Sequence, residues 1–152
     1  MVAPETLRHL EFFKGMSLET VEAIINATNE VSKKGIIFNE GDKGDFMLII
    51  IEGNVEVLTK KRKEGDYNVI AVLKPGDIIG EIALVGDKIR TAKCRTEQDK
   101  EIKVLELTEA AFSKLQTSNP KASLQIYEKT LKIIAQRFKR MAEKQDRWNF
   151  WL

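Results

Sequence analysis

The stretch Leu73–Cys94, LKPGDIIGEIALVGDKIRTAKC, governs how the rest of the chain is read. Pro75-Gly76-Asp77 has the composition of a tight turn and Ile78-Ile79 that of a brief strand. Gly80 permits an abrupt backbone turn into Glu81-Ile82-Ala83-Leu84, which is predicted as a single helical turn. A helix start behind a glycine presents unpaired backbone N–H groups to an anion. Arg90, a short loop later, adds a guanidinium able to hold a phosphate at two points. Glu81 stands beside that anion site, where its carboxylate would repel phosphate unless it faced another part of the same ligand. A sugar hydroxyl is the natural partner, because an ionised carboxylate only accepts hydrogen bonds.

Outward from this stretch the chain divides into three zones. Residues 30–107 are punctuated by Gly35, Gly41, Gly44, Gly53, Gly65, Gly76, Gly80 and Gly86. Between these lie short runs rich in Val and Ile: GIIF (35–38), FMLIIIEG (46–53), VEVLT (55–59), NVIAVL (68–73) and EIKVLEL (101–107). Such spacing leaves no room for helical crossovers and predicts short antiparallel strands closing into a barrel or sandwich. The run KKRKEGD (60–66) falls between two strand patterns and is read as a solvated hairpin tip. Residues 3–29 are predicted helical: Leu18, Val21, Ile24 and Ile25 recur at helical spacing behind Ser17, a suitable N-cap, with Gly15 just before it.

Residues 108–148 are predicted helical as well. Thr108 can cap a short helix carrying Phe112 and Leu115, and Asn119-Pro120 supplies an N-cap followed by proline at the first helical position. In the long helix that follows, Leu131, Ile134, Phe138 and Met141 are spaced 3, 4 and 3, a heptad seam. Its charged residues, Arg137 among them, are read as a solvated face. A helix of about 28 residues would reach about 40 Å. Part of the seam is therefore expected to pack on the strands, and the distal part to pair with the same helix of a second subunit in a homodimer.

Composition excludes several chemistries. The 152 residues suit one domain, 1–152, with 43% apolar and 32% charged residues. A net charge of +2, from 25 basic against 23 acidic residues, does not by itself suggest nucleic acid. No run approaches a membrane span and no signal sequence opens the chain, so a cytoplasmic location is expected. Cys94 is the sole cysteine and His9 the sole histidine, which rules out an intrachain disulfide and leaves no Cys/His metal site. Alternation in TAKCRT puts Ala92 and Cys94 on one strand face, where Cys94 reads as a buried structural thiol. A catalytic pair would have to use His9, poorly located near the N-terminus, and a cupin-like metalloenzyme would need several histidines.

Glu81 and Arg90 together suit a ligand with one free ribose hydroxyl near one phosphate, the layout of a 3′,5′-cyclic nucleotide. Thr91 can add a hydroxyl bond to the phosphate or to a purine edge. The run G-E-I-A-L at 80–84, followed by R-T-A at 90–92 nine residues on from Glu81, resembles the phosphate-binding cassette of the cyclic-nucleotide-binding domain family. Bacterial catabolite activator proteins and protein-kinase regulatory subunits share that cassette. The resemblance extends over FFKGMS (12–17), the 33–57 run and the Pro-Gly-Asp turn.

That resemblance implies a mainly β fold: an eight-stranded jelly-roll barrel with a helical N-terminus and C-terminal helices that reposition when ligand enters. It implies that Glu81 binds the ribose 2′-OH and Arg90 the cyclic phosphate. Gly80, Ile82, Ala83, Thr91 and Ala92 would complete the cradle. Val72, Leu73, Cys94, Met141 and Trp148 are candidate base contacts. The chain departs from the family at Ile89, where proline is common before the arginine. Near Met141 and Ala142 it lacks the hydroxyl residues with which bacterial receptors touch the base. Trp148, Phe150 and Trp151 could form a lid or an interface. The expectation is a regulatory module for cAMP rather than cGMP, with no enzymatic activity, no metal or cofactor and no DNA-binding domain, acting on an unnamed partner protein. The alternative is a structural dimerisation module with a degenerate pocket.

Overall fold

The computed structural model describes residues 1–60 and 66–143. Among them eight strands run in chain order: β1 (Asn29–Lys33), β2 (Ile36–Phe38), β3 (Phe46–Glu52), β4 (Val55–Lys60), β5 (Tyr67–Leu73), β6 (Ile78–Ile79), β7 (Lys93–Thr96) and β8 (Ile102–Thr108). They form two antiparallel sheets of four, ordered β1-β8-β3-β6 and β2-β7-β4-β5. The helices are α1 (Pro4–Leu7), α2 (Leu18–Ala27), α3 (Ile82–Val85), α4 (Glu109–Ser118) and α5 (Pro120–Glu143). No helix among the described residues is long and apolar enough to cross a membrane.

Strand β3 shows why the two sheets and the helices assemble as they do. Met47, Leu48, Ile49 and Ile50 are all buried, so both faces of the strand are covered. Successive side chains on a strand point to opposite faces. Met47 and Ile49 accordingly join Leu105 and Leu107 against the helices, with Phe12, Phe13, Ile24, Phe112 and Ile126. Leu48 and Ile50 face the other way and meet Phe38, Val55, Leu73, Cys94 and Val104 between the sheets. One sheet thus separates a helix-packed core from a core shared with the second sheet.

The expected caps form. Ser17 Oγ accepts from Thr20 N at 3.2 Å, Thr108 Oγ1 from Ala111 N at 3.1 Å, and Asn119 Oδ1 from Ala122 N at 3.1 Å. Such caps contribute typically about 1 kcal/mol each and set where the helices begin. Lys60 pairs with Tyr67, as expected for a hairpin joining β4 to β5, while residues 61–65 between them lie outside the described residues.

Two expectations change. Asn29, read as the end of the helical zone, already pairs with Glu106 in β1. That strand, Asn-Glu-Val-Ser-Lys, carries no apolar run because it is an edge strand bonded only to β8 and largely open on its sides. The second change concerns α5. The face against the body is Ala122, Ile126, Thr130 and Ile133, all buried. Of the heptad seam expected to pack partly on the strands, Leu131 is 68% and Met141 49% exposed, and Phe138 is 41% exposed. Ile134 alone of the four is half-buried. The stripe turned to the body is offset from the seam by about one residue, a rotation of roughly 100°.

Candidate functional site

The loop ahead of β7 is held by backbone bonds to the loop ahead of β3. Gly41 N donates to Arg90 O at 2.8 Å, Arg90 N to Asp42 O at 2.8 Å, and Gly44 N to Lys88 O at 2.7 Å. These bonds carry Arg90 inward, and its side chain is only 5% exposed. Nη1 donates to Gly80 O at 3.2 Å and Nη2 to Phe46 O at 2.8 Å, while Nε has no hydrogen-bond partner among the described residues. The guanidinium carbon lies 4.2 Å from the ring centroid of Phe38 and 4.5 Å from that of Phe46. Among the described residues no carboxylate lies within ion-pair distance of Arg90. Burial pulls the guanidinium below its ordinary pKa, opposed by the charges of neighbouring acidic groups, yet an arginine stays protonated in a protein.

Two glycines make this placement possible. A Cβ on Gly44 would stand 2.5 Å from Arg90 Cζ and 2.9 Å from Cδ. Gly80 has φ +77°, a left-handed conformation that favours glycine, and a Cβ there would collide with Arg90 Nη1. Gly80 therefore serves twice, turning the chain into α3 and leaving space for the guanidinium.

Glu81 occupies the position before the first residue of α3, as the expected helical turn required. Its carboxylate does not pair with Arg90. Oε1 accepts instead from Arg137 Nη1 of α5 at 3.0 Å, and Arg137 Nη2 donates to Ile78 O at 2.5 Å. The side chains of this pair are 12% and 31% exposed, so the contact is partly shielded from water. The reading of Arg137 as part of a solvated face is thus overturned.

The pocket around these groups has a volume of about 100 Å³. Gly80, Glu81, Ile82, Arg90, Thr91 and Ala92 all line it, so the structure gathers the cradle residues named from sequence apart from Ala83. Leu73 and Cys94 line its apolar side with Val57 and Ile79. Burial, reinforced by the Glu81 charge, pushes the Cys94 thiol up to about 12, so this group is a neutral wall of the pocket. Val72 and Met141 are not among its lining residues. Val72 alternates with buried Leu73 along β5 and is 42% exposed. Met141 lies on the outward seam of α5. Ala83 sits in the backbone of α3, but its side chain, like Trp148, Phe150 and Trp151, lies outside what is described.

Sequence reasoning missed Phe38, Gly44, Phe46 and Arg137. A signal for Arg137 exists: Ile126, Thr130, Ile133 and Arg137 are spaced 4, 3 and 4, so a charge falls on the buried stripe of α5. No comparable signal marks Phe38, Gly44 or Phe46, which meet Arg90 only through the pairing of distant loops.

The profile of the family described as "Cyclic nucleotide-binding domain" matches residues 28–119, which include the whole cassette. A cGMP-dependent protein kinase of Caenorhabditis briggsae is 31% identical over 111 residues, 72% of this chain and 15% of that protein. A cAMP-dependent protein kinase regulatory subunit of Dictyostelium discoideum is 38% identical over 90 residues, 57% of this chain and 26% of that protein. The chain thus spans a minor part of these relatives. A crystal structure of a cyclic nucleotide-binding domain from Methylobacillus flagellatus superimposes with a TM-score of 0.79 over 93% of this chain and 79% of that one. At 24% identity it speaks for the fold alone. With more than half of its length inside the family profile, the chain belongs to the cyclic nucleotide-binding domain family.

Proposed function

We propose that this chain is a regulatory module controlled by a cyclic nucleotide, with Arg90 and the backbone N–H groups at the start of α3 holding the phosphate and Glu81 accepting a bond from the ribose 2′-OH. One observation carries the reading. Arg90 is a buried cation that faces no carboxylate within ion-pair distance among the described residues, and its Nε is unbonded. Neighbouring acidic groups act on this charge only from beyond ion-pair distance, and a buried charge without a direct partner is costly, so an anionic ligand would supply that partner. Gly80, Ile82, Thr91 and Ala92 form the rest of the cradle, and Leu73 and Cys94 offer an apolar wall to the base. The strand orders β1-β8-β3-β6 and β2-β7-β4-β5 support reading the two sheets as one jelly roll within a single domain.

The signal leaves through α5. Glu81 is tied to Arg137 of that helix, so a ribose hydroxyl reaching the same carboxylate alters a contact the helix depends on. The exposed seam at Leu131, Phe138 and Met141, with Ile134, supports pairing of α5 with a second copy or docking on a partner protein. Of the two nucleotides we take cAMP over cGMP, acting in the cytoplasm. The module binds and transmits; it catalyses no reaction.

Calorimetric titration with cAMP and with cGMP tests this directly. Saturable binding of one is expected, and Arg90→Ala should raise its Kd about 30- to 1,000-fold, since charge-assisted bonds contribute about 1.5–3 kcal/mol each. Absence of saturable binding of both nucleotides to the unaltered chain would overturn the reading. Hydrogen exchange along α5 should change on binding and sedimentation should show a dimer at tens of micromolar; an unresponsive α5 or a monomer removes the corresponding element.

A further inference from the structure

The guanidinium of Arg90 packs in the corner formed by two phenyl rings that come from different strands, Phe38 at the end of β2 and Phe46 at the start of β3. The rings themselves stand 6.5 Å apart at 67°. Phe38 is buried and Phe46 half-buried, so the cation meets their faces away from bulk water, where the attraction between a cation and a ring is strongest. A buried arginine is ordinarily balanced by a carboxylate. Here two rings and two carbonyl oxygens, Gly80 O and Phe46 O, surround it instead. Rings stabilise a cation through their quadrupole without cancelling its charge, whereas a carboxylate would neutralise it and fill its donors.

We propose that Phe38 and Phe46 are positioning residues for the anion site, holding Arg90 oriented and out of any direct ion pair so that a phosphate can make one. This rests on Arg90 being the phosphate contact. Three features agree. Two guanidinium N–H groups, one on each Nη, go to carbonyl oxygens that fix its plane, and none goes to a carboxylate within ion-pair distance among the described residues. The absence of a Cβ at Gly44 lets the side chain lie flat against the loop backbone. Arginine otherwise loses substantial rotamer freedom on binding a ligand, and a clamp that has already removed that freedom strengthens binding.

The test replaces Phe46, and separately Phe38, by progressively fluorinated phenylalanines in the full chain, and measures Kd for cAMP and cGMP by calorimetry. Fluorine drains the ring face of negative charge while nearly preserving its shape. Affinity should fall stepwise with fluorination, reaching roughly three- to tenfold at the highest level. In an Arg90→Gln background, residual affinity measured by competition should not depend on fluorination. Equal affinity across the series, with the unaltered chain binding normally, overturns the clamp and leaves the site reading intact. An equal fluorine effect in the Arg90→Gln background also overturns it, because the rings would then be acting through packing. Failure of the unaltered chain to bind either nucleotide defeats both.

Discussion

Arg137 Nη1 lies 3.0 Å from Glu81 Oε1, joining the long C-terminal helix to the cassette across 56 positions of sequence. The same guanidinium bonds Ile78 O, so one side chain of α5 grips both the carboxylate and the strand that leads into the cassette. A planar fork can hold two acceptors at fixed angles, which a lysine ammonium on a flexible stem does less well.

Arg137→Ala is therefore expected to destabilise the fold by about 1–3 kcal/mol, the cost of leaving a shielded carboxylate without its partner. Arg137→Lys should recover only part of this loss. Denaturant unfolding of the three proteins reads the difference directly. The same substitution should weaken nucleotide binding about fivefold, because Glu81 would then repel the nearby phosphate by on the order of 1 kcal/mol. Tighter binding by Arg137→Ala would contradict this picture.

Glu81→Gln separates the ribose contact from the helix contact. Exchanging a charged acceptor for a neutral one costs about 1 kcal/mol, or about fivefold in Kd, with a cyclic ribonucleotide. With the 2′-deoxy analogue the substitution should change Kd very little. Any effect transmitted through Arg137 is common to both ligands, so the ratio of the two losses isolates the hydroxyl. Calorimetry with the pair of ligands gives that ratio, and a ratio of one would remove Glu81 from the ribose.

Gly44→Ala keeps the loop backbone acceptable, since the φ of Gly44 is not in the left-handed region, but puts a methyl group where Arg90 Cζ and Cδ lie. The guanidinium must leave its position against Phe38 and Phe46. Nucleotide affinity is expected to fall roughly tenfold or more, close to the effect of losing one charge-assisted bond. Titration of this variant beside Arg90→Ala checks whether the two losses overlap, as they should if both act on one side chain.

Cys94 predicts an alkaline response. Its folded pKa, raised to about 12 from an ordinary 9.0, means that the unfolded chain loses this proton first as pH rises. Between those values the unfolded state binds fewer protons than the folded one, so stability falls with pH. The loss begins above about pH 9 and is complete by about pH 12, and below that window the thiol has no effect. Cys94→Ala should lack this component when the two proteins' unfolding curves are compared from pH 8 to 10. The native thiol should also alkylate slowly at pH 8, because the thiolate is the reactive form.

Much of the site was legible because its residues lie within thirteen positions of one another. Gly80, Glu81, Ile82, Arg90, Thr91 and Ala92 belong to one local turn and loop whose chemistry can be read residue by residue, and all six line the pocket. Val72 and Leu73 are equally apolar in sequence, but alternation along β5 turns Leu73 into the core and Val72 to solvent. Strand β1 was not signalled by an apolar run, since it pairs through its backbone with β8 and only Val31 of its side chains packs against the core.

Local pattern alone determined the order of the helices and of the strands other than β1, the caps at Ser17, Thr108 and Asn119, and the pairing of a glycine turn with Glu81 and Arg90. These depend on periodicity and on contacts a few residues apart, which a linear chain displays. Only the tertiary structure decided what surrounds the charges. Phe38, Gly44 and Phe46 reach Arg90 because two loops are stitched together by backbone bonds, and those bonds carry no side-chain signature. The orientation of α5 was decided the same way. Its sequence contains two apolar stripes, and packing with α4 and α2 in the helix-covered core buried Ile126 and Ile133, leaving the heptad seam outward and turning Arg137 in upon Glu81.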